Sequence, residues 1–413
     1  MKSQIRIILL LVGLFLSSYL YGEKATSYEM EIVQTSLQKF KVKLDISLQE
    51  NYCKSDTVEF SFGGLIPILT VKNLKIKSQK SIRFIFDKKS KLIKIAKKDI
   101  NQNKIYFEYN FNVIWGASRD KVATLFYNSS EYPIPFIENI DSIYFTCKIK
   151  KLKNFSVKTN IQKKGEYYIS ELTDINSIAF MFLDTIKFNT HSYSTTLCKI
   201  NIFTTDNTLT ENDFNRLGNK LTNCIDYFSE NISPYRYNEL NIAEVVWWGS
   251  TYLGSIAFIN KPDFKSYTVF HEIVHEWLGG IIAIKKDSEG EFLLSESLND
   301  YLTMQFLRYQ DGDSLYNVAI KIYIDRYNDY LEKNHDTSIW NIEKYVNSTH
   351  PIIIYKQVIL LDELAKKIGY DKFNSSIFKF LKSIIGKSVE TLEFLDFLKN
   401  EYGQDAIDYC NKI

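Results

Sequence analysis

The chain has 413 residues, 45% of them hydrophobic and 15% aromatic, enough for two or three buried domains and too apolar for a disordered chain. Its 51 basic and 49 acidic residues nearly cancel, so composition gives no reason to expect a nucleic-acid partner.

The amino terminus reads MKSQIRIILLLVGLFLSSYLYGEKATS. Lys2 and Arg6 make a positive start, Ile7 to Leu16 an apolar core, and Ser17 to Gly22 a smaller, more polar exit. That is the anatomy of a secretory signal peptide. No small-x-small cleavage site is clean, so an uncleaved membrane anchor over residues 1–22 is the alternative. Any membrane contact is expected through that anchor alone. No cysteine follows the apolar core, which argues against a lipoprotein. The expected location is secreted, periplasmic or extracytoplasmic and membrane-anchored. In such a compartment Cys53, Cys147, Cys198, Cys224 and Cys410 could form one or two disulfides with one thiol left over, their pairing not readable from the sequence. They contain no CxxC pair, so a cysteine metal cluster is not expected.

Residues 23–199 read as a β-rich domain. KVKLDISL (Lys41–Leu48), SIRFIFD (Ser81–Asp87) and KIYFEYNFNVIW (Lys104–Trp115) alternate apolar and polar positions. Gly63-Gly64, Asn128-Ser129-Ser130 and the Pro133/Pro135 pair punctuate them as turns. The Lys-rich run from Val71 to Lys104 alternates with Leu, Ile and Phe, so its lysines are read as solvated strand faces.

Near residue 200 the period changes, opening a second domain over 200–413. Phe214, Leu217, Leu221, Ile225 and Phe228 fall at helical spacing, with Thr210 as the N-cap. NELNIAEVVWWG then reads as a buried strand ending at Gly249. A helix opens at Pro262-Asp263 and stops at Gly279-Gly280, and a second runs from Ser295 to Gln310. From Tyr355 onward helical patterns dominate. The fold class is therefore α+β, an all-β amino-terminal part followed by a mixed domain with a mainly helical end.

The first of those helices carries HEIVH, residues 271–275. Positions four apart share one helix face, so His271 and His275 can aim both imidazoles at one ion. Glu272, rotated about 100° from His271, can reach a metal-bound water without ligating. A catalytic zinc suits this pattern, because it takes three protein ligands and keeps one position for water. With five histidines in the chain, chance is a poor explanation of the spacing. Glu296 on the next helix is the candidate third ligand, with Asp300 one turn further on the same face.

These segments resemble the gluzincin metallopeptidases, to which thermolysin belongs, and within them the aminopeptidase N family. HEIVHEWLGG is similar to that family's H-E-x-x-H-x-W-x-G-N block, and LLSESLNDYL to its glutamate-bearing helix. The similarity runs from about Ile200 to Phe380. It implies a thermolysin-like catalytic domain behind an amino-terminal β saddle, binding one Zn²⁺ per chain and hydrolysing a peptide or protein substrate. It also implies His271, His275 and Glu296 as ligands, Glu272 as general base and Asp300 as the carboxylate orienting a histidine. Tyr355, in IIIYKQVILL, stands where the family places its oxyanion donor, with Tyr345 and His350 as substitutes.

Three departures go with the resemblance. Twenty residues separate His275 from Glu296, two more than the family usually has. The family's G-x-M-E-N segment is replaced by WWGSTYLGSIAF, in which Gly249, Ser250 and Thr251 are candidate substrate contacts and no glutamate is present to hold a free α-amine. The chain also lacks the large carboxy-terminal helical domain of many relatives. Two rivals therefore stand beside an aminopeptidase: an endopeptidase of the same fold, and an inactive zinc-containing binding or scaffold protein.

Overall fold

The computed structural model describes residues 26–36, 39–49, 55–61, 71–87, 92–112, 122–125, 143–172, 178–205, 209–245, 249–285, 288–341 and 350–412. The signal or anchor segment, Gly63-Gly64, Asn128 to Ser130, Pro133 and Pro135, Cys53, Trp247-Trp248 and Tyr345 lie outside them. Among the described residues no helix is long and apolar enough to cross a membrane. The chain divides into two compact units, Met1–Phe188 and Asn189–Ile413.

The first unit is built from strands β1 (Thr26–Ser36), β2 (Lys39–Ser47), β3 (Thr57–Ser61), β4 (Lys72–Lys77), β5 (Ile85–Asp87), β6 (Leu92–Ala96), β7 (Lys104–Asn112), β8 (Val122–Leu125), β9 (Ile143–Lys150), β10 (Phe155–Thr159), β11 (Gln162–Lys164), β12 (Tyr167–Leu172) and β13 (Phe180–Asp184). Seven of them form one sheet in the order β11-β12-β9-β1-β2-β7-β4. Period-two alternation puts Tyr28, Met30 and Ile32 of β1, Phe40, Val42, Leu44 and Ile46 of β2, and Ile105, Phe107, Tyr109 and Phe111 of β7 into one core. The opposite face carries charge. Lys148, Glu31, Lys43, Glu108 and Lys75 stand opposite one another across β9, β1, β2, β7 and β4, so the sign alternates along the row. Lys75 of the basic run therefore belongs to a mixed ladder.

The second unit begins with β14 (Asn189–Ser194), β15 (Lys199–Thr204), β16 (Glu239–Val245), β17 (Thr251–Leu253) and β18 (Ile256–Asn260), in the sheet order β14-β15-β16-β18-β17. The division thus falls eleven residues before the expected 199/200 boundary. The cause is β14, whose antiparallel partner is β15, a strand of the second unit's sheet.

Helix α1 (Glu211–Asn231) crosses between β15 and β16. Thr210 caps it in a capping box with Asp213, and Phe214, Leu217, Leu221, Cys224, Ile225 and Phe228 form its buried face. The remaining helices are α2 (Thr268–Val274), α3 (Leu298–Asp311), α4 (Asp313–Leu331), α5 (Gln357–Ile368), α6 (Tyr370–Ser383), α7 (Thr391–Tyr402) and α8 (Gln404–Cys410). Trp277, fully buried, ties the segment after α2 to the loop between α1 and β16 by donating its indole N–H to the Ser233 carbonyl at 2.7 Å.

Two expectations change here. Cys147, Cys198, Cys224 and Cys410 are unbridged, the first three buried among apolar side chains where a thiol packs as a small hydrophobe. The motif helix is also shorter than its sequence pattern. Pro262 and Asp263 sit in a 3₁₀ turn, Lys261–Lys265, and Ser266 is extended, accepting the Thr268 N–H at 3.1 Å on its hydroxyl. The α-helix proper starts only at Thr268.

Candidate metal centre and active site

Helix α2 and the turn after it keep His271 and His275 on one face. Their Nε2 atoms lie 3.1 Å apart. Glu296 Oε2 stands 3.5 Å from His271 Nε2 and 3.9 Å from His275 Nε2. Three ligands of one tetrahedral zinc, bound at 2.0–2.1 Å, are spaced by about 3.3 Å. The observed triangle therefore has the size one zinc ion needs. Both Nδ1 atoms are taken up elsewhere: His271 Nδ1 lies 2.6 Å from Asp300 Oδ1, and His275 Nδ1 lies 3.4 Å from the Leu278 carbonyl. Acceptors at Nδ1 fix the tautomer that leaves Nε2 free for a metal. The donor set thus fits zinc in both spacing and chemistry.

Glu296 does not sit on a regular α-helix. It lies in a π-helical turn, Leu293–Ser297, that runs into α3. Tyr355 lies in a second π turn, Ile352–Lys356, that runs into α5. Such turns are rare and collect at functional sites. The two are joined directly, because the buried Ser297 hydroxyl donates to the Ile353 carbonyl at 2.8 Å. Asn299 adds a tie to the motif helix, donating to the His271 carbonyl at 3.0 Å.

Burial tunes the ionisable groups. Glu272 is 7% exposed, and desolvation pushes its carboxyl up to about 8. His275 falls below its ordinary value, desolvation being the main cause. Desolvation also acts to lower His271, but the Asp300 carboxylate beside it outweighs that and holds the imidazole well above its usual range. For Glu296 desolvation acts upward, and the two histidines reverse it, leaving the carboxyl below its ordinary value.

The other candidates fall as follows. Tyr355 accepts a hydrogen bond from Arg326 Nη1 at 3.3 Å, and its ring meets that of Tyr323 edge-on at 5.4 Å. His350 packs edge-on against Tyr330 and accepts the Ile352 N–H on Nδ1. Thr251 opens β17, the edge strand of the catalytic sheet. Gly249 has open space where a side chain would be. The Ser250 hydroxyl is already engaged, donating to Asp263 at 2.9 Å and accepting the Asn260 N–H at 3.0 Å. It braces the hairpin.

Several residues near the site have no motif to announce them. Tyr323 donates to Asp300 Oδ2 at 3.3 Å and pairs with the Tyr267 hydroxyl at 2.7 Å. Glu276, directly after the second histidine and fully buried, takes a hydrogen bond from Tyr252 of β17 at 2.7 Å and an ion pair with Arg236 at 2.6 Å. Gly280 makes room for this pair, since a Cβ there would lie 2.3 Å from the Glu276 carbonyl oxygen and 2.9 Å from Arg236 Nη2. Only for Tyr267 is there a sequence signal: it stands one helical turn before His271.

Among the described residues, a sheet with β17 at its edge, a histidine pair and a glutamate from the following π turn make the arrangement of a zinc metallopeptidase of the gluzincin type. Residues 260–412 match the model of the peptidase family M1 domain. Over those residues the chain is thus similar to the catalytic domain of the M1 zinc metallopeptidases. The M1 zinc metallopeptidase from Deinococcus radiodurans is similar in fold, with a TM-score of 0.62 and 11% identity over 94% of this chain and 92% of that one. Yeast LTA4 hydrolase gives 0.63 and 16%, over 94% of this chain and 66% of that one. A variant of the Deinococcus radiodurans enzyme bound to the substrate Tyr-Ser-Ala gives 0.60 and 10%, over 94% and 92%. At these identities the likeness is one of fold, and it includes the order of a β-rich region before a helical carboxy-terminal part.

Proposed function

We propose that this zinc peptidase uses His271, His275 and Glu296 as its metal ligands, Glu272 as general base and then acid, and Tyr355 as donor to the oxyanion. The observation that carries this reading is the triangle of three ligand atoms whose histidines both have their Nδ1 engaged. When bound, zinc supplies Lewis acidity, lowering the pKa of a water towards 7 and polarising a carbonyl. Glu272 takes the proton of the attacking water and passes it to the leaving amine. Its proton affinity, raised by burial, supports both halves of that task. Asp300 holds the His271 ring in place. Because Arg326 donates to the Tyr355 oxygen, the phenol hydrogen is free to point at the developing oxyanion.

Peptide would pair with β17 as an added edge strand. The family resemblance favours cleavage from a free amino terminus. An endopeptidase is the second reading, favoured by a specific feature: the segment from Trp247 to Gly254 contributes no carboxylate to hold an α-amine. The positive-then-apolar amino-terminal sequence supports work outside the cytoplasm. Digestion of matched peptides with free and acetylated amino termini separates the two specificities. Cleavage of free peptides only means an aminopeptidase, and equal cleavage means an endopeptidase. Zinc-loaded protein that cleaves neither would overturn the enzymatic reading in favour of a scaffold.

A further inference from the structure

Tyr323 lies where the metal-binding side of the site meets the oxyanion side. It is 2% exposed, so no bulk water can take over its contacts. Asp300 has one carboxylate oxygen on His271 Nδ1, and in a buried setting the second oxygen also needs a donor. The Tyr323 hydroxyl is that donor, at 3.3 Å. Its own oxygen can then accept from Tyr267 at 2.7 Å, so the bonds run in one direction, from Tyr267 through Tyr323 to Asp300. The same side chain packs edge-on against Tyr355, at the distance favoured for aromatic pairs.

We propose that Tyr323 is a positioning residue that sets the zinc-ligating imidazole of His271 and the phenol of Tyr355 against one another, the first through its hydroxyl and Asp300, the second through its ring. This rests on the zinc reading of the site. It assigns the two halves of one side chain to two measurable properties. Loss of the hydroxyl should weaken metal binding, by up to about the tenfold that is the lower end for losing a group bonded directly to a ligand, since Tyr323 acts through Asp300. Loss of the ring should in addition misplace Tyr355 and lower kcat, leaving KM as it was.

Zinc affinity is measured on the full chain by competition with a chelator, and kcat and KM at saturating zinc. Tyr323→Phe should raise the zinc Kd by about three- to tenfold, with kcat at saturating zinc changed by less than about threefold. Tyr323→Leu should show the same weakening together with a fall in kcat of about tenfold or more. A Tyr323→Phe protein that melts lower but keeps the wild-type zinc Kd would overturn the proposal, leaving Tyr323 as core packing. Should Tyr323→Leu not fold, the Tyr323→Phe zinc Kd decides alone. A wild-type chain that binds no zinc would instead overturn the metal site itself, and that result is distinguishable from either variant's.

Discussion

The two units bury different things. In the first, the buried polar side chains among the described residues are Thr26 and Gln34, neither charged, and the interior is otherwise aliphatic and aromatic. In the second, Glu244, Glu272, Glu276, Asp300, Lys356 and Asp362 are all buried. A buried charge is costly unless it is paired and hydrogen-bonded. Most of these have partners: Thr205 for Glu244, Arg236 and Tyr252 for Glu276, His271 and Tyr323 for Asp300, Asp336 for Lys356, and Tyr316, Tyr370 and Lys366 for Asp362. Glu272 is desolvated beside the His271, His275 and Glu296 cluster, as the base proposed for it would be. The first unit keeps its charge on a sheet face, in pairs that water screens. Three of the six, Glu272, Glu276 and Asp300, lie in or beside the candidate site, and the other three are held in structural pairs.

Substitutions can break that contrast, and the largest effect is expected at Glu272. Glu272→Gln should lower kcat by about 10²–10⁴-fold, the range for loss of a general base, while one zinc per chain is retained. Steady-state rates and metal content on the same sample check it, and unchanged rates would remove Glu272 from the chemistry. Tyr355→Phe should cost about 10²–10³-fold in kcat, as loss of an oxyanion donor does, with little change in KM.

Phe107→Ala sharpens the comparison from the other side. This ring is fully buried in the first unit, so truncation should cost about 3–5 kcal/mol of that unit's stability. It should leave the zinc affinity of folded protein unchanged, by denaturant unfolding read beside chelator competition. A zinc Kd that moves with Phe107 would show that the two interiors are not independent. The smallest effect belongs to the charged face. Glu31 pairs with Lys150 at 2.6 Å and Lys43 at 3.6 Å, and the hydrogen bond from Lys150 is the main cause that holds its carboxyl below the ordinary 4.5. A lowered carboxyl stabilises the fold above its unfolded pKa, and the gain is lost as pH falls from about 4.5 through the lowered folded value. Glu31→Gln should therefore cost less than about 1 kcal/mol at pH 7 and nothing well below pH 4, seen as a flattened acid limb in the stability profile.

How much of this was legible in the sequence follows from how local each signal is. His271 and His275 are one turn apart, Glu296 and Asp300 are again one turn apart, and each pair needs only helical geometry to be read. The Thr210 cap and the buried face of α1 were legible for the same reason. The start of α2 is not legible because Pro262 and Asp263 favour a helix start but fit a 3₁₀ turn equally well, and the Ser266 hydroxyl accepts the Thr268 N–H just ahead of the helix. The two compact units divide ahead of residue 200 because β14 shows no apolar alternation in sequence, and only its pairing with β15 assigns it to the second sheet. The π turns under Glu296 and Tyr355 have no sequence signature, since they arise where two segments pack and Ser297 bonds across. Tyr323 is 23 residues from Asp300 and one of 28 tyrosines, so only the folded chain singles it out.

Zinc stoichiometry is the most direct test of the central claim that one metal ion is held jointly by the histidine pair and the glutamate of the next helix. Metal analysis of purified protein, dialysed against a weak chelator, should find one zinc per chain in the wild type and well under one in His271→Ala, His275→Ala and Glu296→Ala alike. A wild type without zinc, or a Glu296→Ala protein that keeps its full complement, would contradict it.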